Sequence, residues 1–445
     1  MKYYSLNKQA PAVSFREATI LGQAPDKGLY FPEQIPVVDK SLLDDITAIS
    51  NEEIAYRVIQ PYIGNEIPAA ELKKITEETV NFPLPLVPVT DTISSLELYH
   101  GPTLAFKDIG ARFMSRCLGY FVKQQGVGEV STAFHKDKVV VLVATSGDTG
   151  GAVANGFYKV EGVEVVILYP SGKVSGVQEK QLTTLGENIH AVEVRGTFDD
   201  CQQLVKQAFA DPELNRQLFL TSANSINVAR WLPQQFYYFF AWKQWKLANK
   251  HATAPVICVP SGNFGNICAG ILAHFSGLPV QHFIAACNAN AVVPHFMQTQ
   301  QYNPQPAVAT ISNAMDVGNP SNFIRILELF RHQFPELKEK FTAVSISDEE
   351  TKQTLVRVLR EQKYLLDPHG AVGFLALEQY LKDHPGQEGI FLETAHPVKF
   401  YDVVEPLIED RIPLPEAVQA IMDHPKQATT MEATYPELVR FLKNI

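Results

Sequence analysis

Val139-Val140-Val141-Leu142-Val143-Ala144-Thr145-Ser146-Gly147-Asp148-Thr149-Gly150-Gly151 decides the fold class. The first part is an unbroken apolar run rich in β-branched residues. A strand with one wet face would alternate polar and apolar positions, so this one reads as buried on both faces. It ends at a glycine-rich turn, and a small-residue helix pattern follows from Gly150 to Tyr158. The same strand, turn, helix order repeats downstream. Strands are predicted at Val163–Leu168, Ile189–Val194, Leu218–Ser222, Val256–Val259, Val280–Cys287 and Ile390–Leu392. Helical spacing covers Ser175–Leu185, Phe198–Ala210, a long aromatic-rich stretch Val228–Lys246, and Phe264–His274. Such alternation predicts an α/β protein with parallel sheets covered by helices. Ligands then gather in the loops at the carboxyl ends of the strands.

The chain of 445 residues is too long for one compact core. With 46% hydrophobic and 19% charged residues it has the composition of an ordinary globular protein. Its net charge of -10 disfavours nucleic-acid backbones and anionic membranes as partners. No apolar stretch is long enough to span a bilayer, and the N-terminus lacks the apolar run of a signal peptide. The five cysteines form no C-x-x-C pair, so neither a disulfide framework nor a zinc knuckle is expected. These features read as a cytoplasmic protein. Residues 1–80 differ from the rest, being short helical patterns broken by Pro and Gly, and a Pro-rich stretch from Phe82 to Pro88 reads as a linker.

Three segments carry the chemistry. Pro260-Ser261-Gly262-Asn263-Phe264-Gly265-Asn266 follows a strand and opens a helix. Helix N-termini offer unpaired N–H groups to phosphate, and glycine lets the backbone come close. Neither the dinucleotide fingerprint nor the P-loop pattern is present, so the phosphate belongs to another ligand. Thr145-Ser146-Gly147-Asp148-Thr149 offers hydroxyls and helix-start amides that suit a carboxylate; the same residues suit a simple N-cap, and both readings stay open. Lys107, between Phe106 and Asp108, is either a solvated surface charge or a partly buried amine nucleophile. Asp367-Pro368-His369 reads as a helix start, Asp348-Glu349-Glu350 as another, and His100 and His396 have no metal-ligand spacing, so no metal is expected. The Phe236–Trp245 aromatics fit buried helix faces.

Pro102-Thr103-Leu104-Ala105-Phe106-Lys107-Asp108, Thr145-Ser146-Gly147-Asp148-Thr149-Gly150 and Ser261-Gly262-Asn263-Phe264-Gly265-Asn266, in this order, resemble the fold-type II pyridoxal-phosphate enzymes and, among them, the threonine synthase family. Ser14-Phe15-Arg16-Glu17-Ala18 and Gly28-Leu29-Tyr30-Phe31-Pro32 are similar to the opening of its bacterial and fungal branch. The resemblance implies a tryptophan synthase β-like fold: an N-terminal domain over 1–80, a catalytic domain over 81–410 with a smaller subdomain at about 110–225, and a helical C-terminal segment over 411–445.

It also implies the site. Lys107 would hold pyridoxal 5'-phosphate as a Schiff base; Gly262, Asn263, Phe264, Gly265 and Asn266 would bind its phosphate; Thr394 would face the pyridine nitrogen. Thr145, Ser146, Asp148 and Thr149 would orient the substrate carboxylate, and Asn224 and Arg230 would hold the substrate phosphate. Many fold-type II enzymes carry Asn where this chain has Asp148, and a carboxylate there would change protonation beside the cofactor. The implied reaction takes O-phospho-L-homoserine and water to L-threonine and phosphate, with domain closure excluding water, in a monomer or homodimer. A dehydratase or phosphohomoserine lyase on the same scaffold, and a non-catalytic cofactor-holding protein, are the alternatives.

Overall fold

The structure, a computed structural model, describes residues 1–125, 139–248 and 253–445. The chain divides into two compact units. The first contains Met1–Phe31, Lys107–Arg230 and Leu414–Ile445; the second contains Pro32–Phe106 and Trp231–Pro413.

The first unit is built on a five-stranded, all-parallel sheet in the order Thr429–Glu432, Ile189–Arg195, Val163–Pro170, Val139–Ala144, Phe219–Thr221. Val139–Ala144 lies inside the sheet, pairing Val141 with Val165 on one side and with Thr221 on the other. Both of its faces are buried, as the unbroken apolar run predicts. Val140 and Leu142 join Val166, Leu168, Val192 and Val194 on one face, against Leu204 and Val205 of the helix Phe198–Ala210 and Leu438 and Leu442 of the C-terminal helix Tyr435–Leu442. Each such buried aliphatic side chain contributes roughly 1.5–3 kcal/mol of transfer free energy.

The second unit holds a six-stranded sheet in the order Phe341–Ser345, His282–Cys287, Val256–Pro260, Gly389–Glu393, Ile93–Glu97, Leu86–Pro88. All neighbours are parallel except the last pair, where Leu86–Pro88 runs antiparallel to Ile93–Glu97. Val256, Cys258, Ile284 and Phe391 pack against Leu355 and Val358 of Asp348–Gln362 and against Val372 and Leu377 of Pro368–Asp383. That last helix starts as its sequence predicts, with Asp367 capping the N–H groups of His369 and Gly370 and Pro368 in the first turn.

Three sequence expectations change. The stretch Val228–Lys246 is not one helix: Val228–Trp231 is followed by a tight 3-10 turn, Leu232–Gln235, and then by Phe236–Leu247. Pro233 sits in that turn, and proline has no N–H for a continuous helical ladder. The Pro-rich stretch taken as a linker supplies the edge strand Leu86–Pro88, a place where proline is tolerated. The C-terminal segment read as helical also supplies Thr429–Glu432, which adds in parallel to Ile189–Arg195. All five cysteines are buried free thiols. Among the described residues, no helix is long and apolar enough to cross a membrane, and no group of three or more His, Cys, Asp or Glu is placed to hold a metal.

Candidate active site

In the first unit, Lys107 opens the helix Lys107–Gln125, and its side chain is only 16% exposed. Its Nζ lies 3.5 Å from Oδ2 of Asp148, whose side chain is 4% exposed. Asp148 begins the helix Asp148–Phe157, directly after the strand Val139–Ala144. The carboxylate is held from its other side, because Gln178 Nε2 donates to Asp148 Oδ1 at 2.9 Å. One oxygen is thus fixed by a neutral amide while the other faces the amine.

The turn itself is braced by Thr145, whose Oγ1 accepts from the N–H groups of Gly147 at 3.0 Å and Gly150 at 2.9 Å. Gly147 adopts φ +143°, and a Cβ there would come within 2.5 Å of the Gln178 side chain. The helix has Gly147 at its N-cap and no side-chain cap bond. The simple capping role that the sequence allowed for Ser146, Asp148 or Thr149 is therefore not taken. Thr145 thus takes the Gly150 N–H of the first turn, and the helix start carries partial positive charge. Ser146 and Thr149 are partly exposed beside it.

The segment Ser222–Arg230 belongs to the same unit. Asn227 fastens it, donating to Thr19 O at 2.8 Å and Ser222 O at 3.3 Å while its Oδ1 accepts from Ala229 N–H. Thr19 lies on the helix Phe15–Leu21, so the N-terminal residues support this turn. Asn224 is partly exposed on it. Arg230 is buried, and its Nη1 donates to Ala223 O. Burial lowers its pKa to about 10 and the Asp108 carboxylate opposes that shift, so Arg230 stays a cation near neutral pH. Gly110 makes room for it: a Cβ there would stand 2.7 Å from Arg230 O and 3.1 Å from Nε. The arginine therefore lies against the first turn of the helix that Lys107 opens.

In the second unit, the strand Val256–Pro260 runs into Ser261–Phe264 and the helix Gly265–Phe275. Phe264 is left-handed at φ +62°, and the helix again starts without a side-chain cap bond. The two asparagines predicted to bind a ligand use their side chains to shape the loop. Asn266 Nδ2 donates to Pro260 O at 2.8 Å and its Oδ1 accepts from Ile267 N–H; Asn263 Oδ1 accepts from Ser321 N–H at 2.6 Å. Gly262 has no spare room, since a Cβ would meet Met315 Cα at 2.7 Å.

Thr394 follows the strand Gly389–Glu393 and is buried. Its carbonyl accepts from Phe106 N–H at 2.9 Å, and Ala395 bridges antiparallel to Ala105, so the residues leading to Lys107 are stitched to this strand end. Lys399 Nζ adds a bond to Thr103 O at 2.8 Å. Next to Thr394, burial and then the Asp367 charge push the Glu393 carboxyl pKa well up. His396 is shifted down to about 4, by burial and then by His100.

The structure thus brings Lys107 and Asp148 together, groups Thr145, Ser146, Thr149, Asn224 and Arg230 in their unit, and places Gly262–Asn266 and Thr394 in the second. Gln178, Asn322 and Arg325 were not found from sequence. Gln178 is 30 residues from Asp148 and Asn322 is 59 from Asn263, and no local spacing marks either pair.

A family model described as pyridoxal-phosphate dependent enzyme matches residues 94–392; models of the threonine synthase N terminus and C-terminal region match 2–80 and 370–442. The threonine synthase of Serratia marcescens is 45% identical over 445 residues, covering 100% of both chains. The crystal structure of threonine synthase from Escherichia coli superposes with a TM-score of 0.90 at 42% identity over 100% of both chains. A pyridoxal-phosphate-bound threonine synthase structure from Brucella melitensis gives a TM-score of 0.90 at 32% identity, covering 100% of this chain and 99% of the other.

Proposed function

This chain belongs to the threonine synthase family, and we propose that Lys107 is the residue that binds its cofactor and moves the protons of the reaction. It is a pyridoxal-phosphate-dependent lyase that forms threonine. The substrate in this reading is O-phospho-L-homoserine. The observation that carries the role of Lys107 is its placement: a largely enclosed amine, 3.5 Å from Asp148, at the mouth of a helix start with no side chain at its N-cap.

The residues present fit pyridoxal phosphate. The Gly265–Phe275 helix start lacks a side-chain cap, and the backbone before it is left-handed at Phe264 and tightly backed at Gly262. The amides of Gly262–Asn266 suit a phosphate dianion, and the Thr394 hydroxyl suits a ring nitrogen without forcing a proton onto it. When bound, the cofactor supplies an electron sink for carbanions next to the amino group.

The chain's own groups then divide the work. The first-turn amides of Asp148–Phe157, with Thr145, Ser146 and Thr149, hold the substrate carboxylate. The Lys107 amine takes protons from Cα and Cβ and returns them at Cγ and Cα, and Asp148, steadied by Gln178, fixes where that amine sits. Asn224 and Arg230 hold the phosphate, which leaves from Cγ with its bonding electrons; the guanidinium, still charged at a pKa of about 10, stabilises the departing anion. A proton delivered to Cγ makes the methyl group, water adds its hydroxyl at Cβ while its remaining proton goes to the released phosphate, and a proton delivered to Cα completes threonine. The enzyme works as a monomer or homodimer in the cytoplasm, where its five free thiols stay reduced.

Product analysis tests the reading. Incubation of the purified holoenzyme with O-phospho-L-homoserine, followed by NMR, is expected to give threonine and phosphate in equal amounts. 2-Oxobutyrate and ammonia as the main products would select the dehydratase or lyase alternative, and no turnover would select the non-catalytic one.

A further inference from the structure

Beneath the loop Ser261–Phe264, within the second unit, lies a buried cation. Arg325, on the helix Phe323–Leu329, has 0% of its surface exposed. Its guanidinium lies over the Trp231 ring, 4.3 Å from the centroid, and Nη1 donates to Asn322 Oδ1 at 2.7 Å. Asn322 turns the other end of its amide to the loop: Nδ2 donates to Asn263 O at 3.0 Å, and its backbone N–H to the same oxygen at 3.3 Å. Phe323 packs edge-on against Phe264, with centroids 5.9 Å apart. Cys268, one turn into the helix Gly265–Phe275, has its thiol pKa pushed up to about 12 by burial, and the Arg325 charge opposes that shift.

We propose that Arg325 is a positioning residue for the cofactor phosphate, acting through Asn322 on the Asn263–Phe264 peptide and through its charge on the loop as a whole. The inference rests on reading Gly262–Asn266 as the phosphate loop. A trans peptide is rigid, so anchoring Asn263 O on Asn322 turns the Phe264 N–H to the opposite side. Donation from Arg325 into Asn322 Oδ1 polarises that amide and strengthens its own donation to Asn263. The peptide that must adopt the left-handed Phe264 conformation is thereby held in place before any ligand arrives.

The charge acts in the same direction. Burial lowers the Arg325 pKa only to about 10, so the group is a cation at neutral pH. The indole face and the amide oxygen are neutral partners that offset part of its lost hydration. A dianion bound at the adjoining loop interacts favourably with such a cation in a poorly screened interior. Arginine suits this place because a planar guanidinium can stack on indole and donate in its own plane at once.

The test uses the full-length protein stripped of cofactor. Binding of pyridoxal phosphate and of pyridoxal, which lacks the phosphate, is measured by absorbance for the wild type, Arg325→Met and Asn322→Ala, together with the melting temperature of each cofactor-free protein. Wild type is expected to bind pyridoxal phosphate more tightly than pyridoxal. Each variant is expected to lose roughly tenfold in affinity for pyridoxal phosphate, the scale of one charge-supported hydrogen bond, with pyridoxal affinity changed less than about twofold. If Arg325→Met does not fold, Asn322→Ala decides alone, since it cuts the link and leaves the arginine on Trp231. Variants that keep the wild-type preference, or that lose both ligands in step with a fall in melting temperature, overturn the proposal in favour of a purely structural arginine. A wild type that does not distinguish the two ligands overturns the phosphate-loop reading instead.

Discussion

After Ala144 and after Pro260 the chain makes the same move. It leaves a parallel strand, turns on glycines and starts a helix with no side-chain cap, Asp148–Phe157 in the first unit and Gly265–Phe275 in the second. The two differ in the charge placed around the helix start. The first loop carries a carboxylate in its opening turn, with the Lys107 amine 3.5 Å away. The second has the buried Arg325 cation linked to its loop through Asn322 and shapes itself with neutral asparagines. A helix start alone attracts any anion. An ionisable pair beside it suits a ligand that reacts and leaves, and a fixed cation behind it suits one that stays. In the proposed function, one backbone solution would serve a substrate carboxylate in one unit and a cofactor phosphate in the other.

The largest expected effect comes from filling the second loop. Gly262→Ala puts a methyl 2.7 Å from Met315 Cα, and backbone cannot swing aside. An overpacking cost of about 1–3 kcal/mol predicts a loss of roughly tenfold or more in affinity for pyridoxal phosphate, read by titration of the cofactor-free protein. Gly→Ala at a helix position away from both loops serves as the control for general destabilisation.

The first loop is expected to respond in turnover instead. Gln178→Ala removes the bond that holds Asp148 Oδ1 and leaves that oxygen without its amide donor. A loss near 1 kcal/mol predicts a fall in kcat of about five- to tenfold with cofactor affinity little changed. Steady-state kinetics together with cofactor titration separates the two. Equal losses in both would erase the division of labour between the loops.

The smallest effect concerns the two carboxyls. Asp148 faces an amine, whereas Glu393 is buried beside Asp367 with its pKa raised. The sign follows from linkage: stability from a raised acid is fully present below its unfolded value of 4.5 and is lost as pH climbs through the folded pKa. Glutamine cannot ionise. Glu393→Gln is therefore expected to flatten the fall in urea midpoint as pH rises above 4.5. A fall as steep as in wild type would mean that Glu393 does not carry the shift.

Much of this was legible in the sequence, for physical reasons that also mark its limit. Val139–Ala144 is found to the residue because burial on both faces writes a continuous apolar run. The loops after it and after Pro260 announce themselves through glycines at strand ends. Phe341–Ser345 was missed because it is a half-exposed edge strand with threonine and serine among its few apolar residues. Thr429–Glu432 hides for the same reason, with only Met431 buried. The supports of the site are the least visible. Gln178 reaches Asp148 through one hydrogen bond and Asn322 reaches Asn263 O through two, with Arg325 donating to Asn322 behind it, and such contacts between residues far apart in sequence leave no period or motif.

The most direct measurement of the central claim is a map of the covalent cofactor. Reduction of the holoenzyme with borohydride, followed by proteolysis and mass spectrometry, fixes the cofactor to the amine that held it. A pyridoxyl-phosphate adduct is expected on the peptide containing Phe106-Lys107-Asp108, located at Lys107. An adduct on any other lysine, with Lys107 unmodified in a cofactor-saturated enzyme, would contradict the claim.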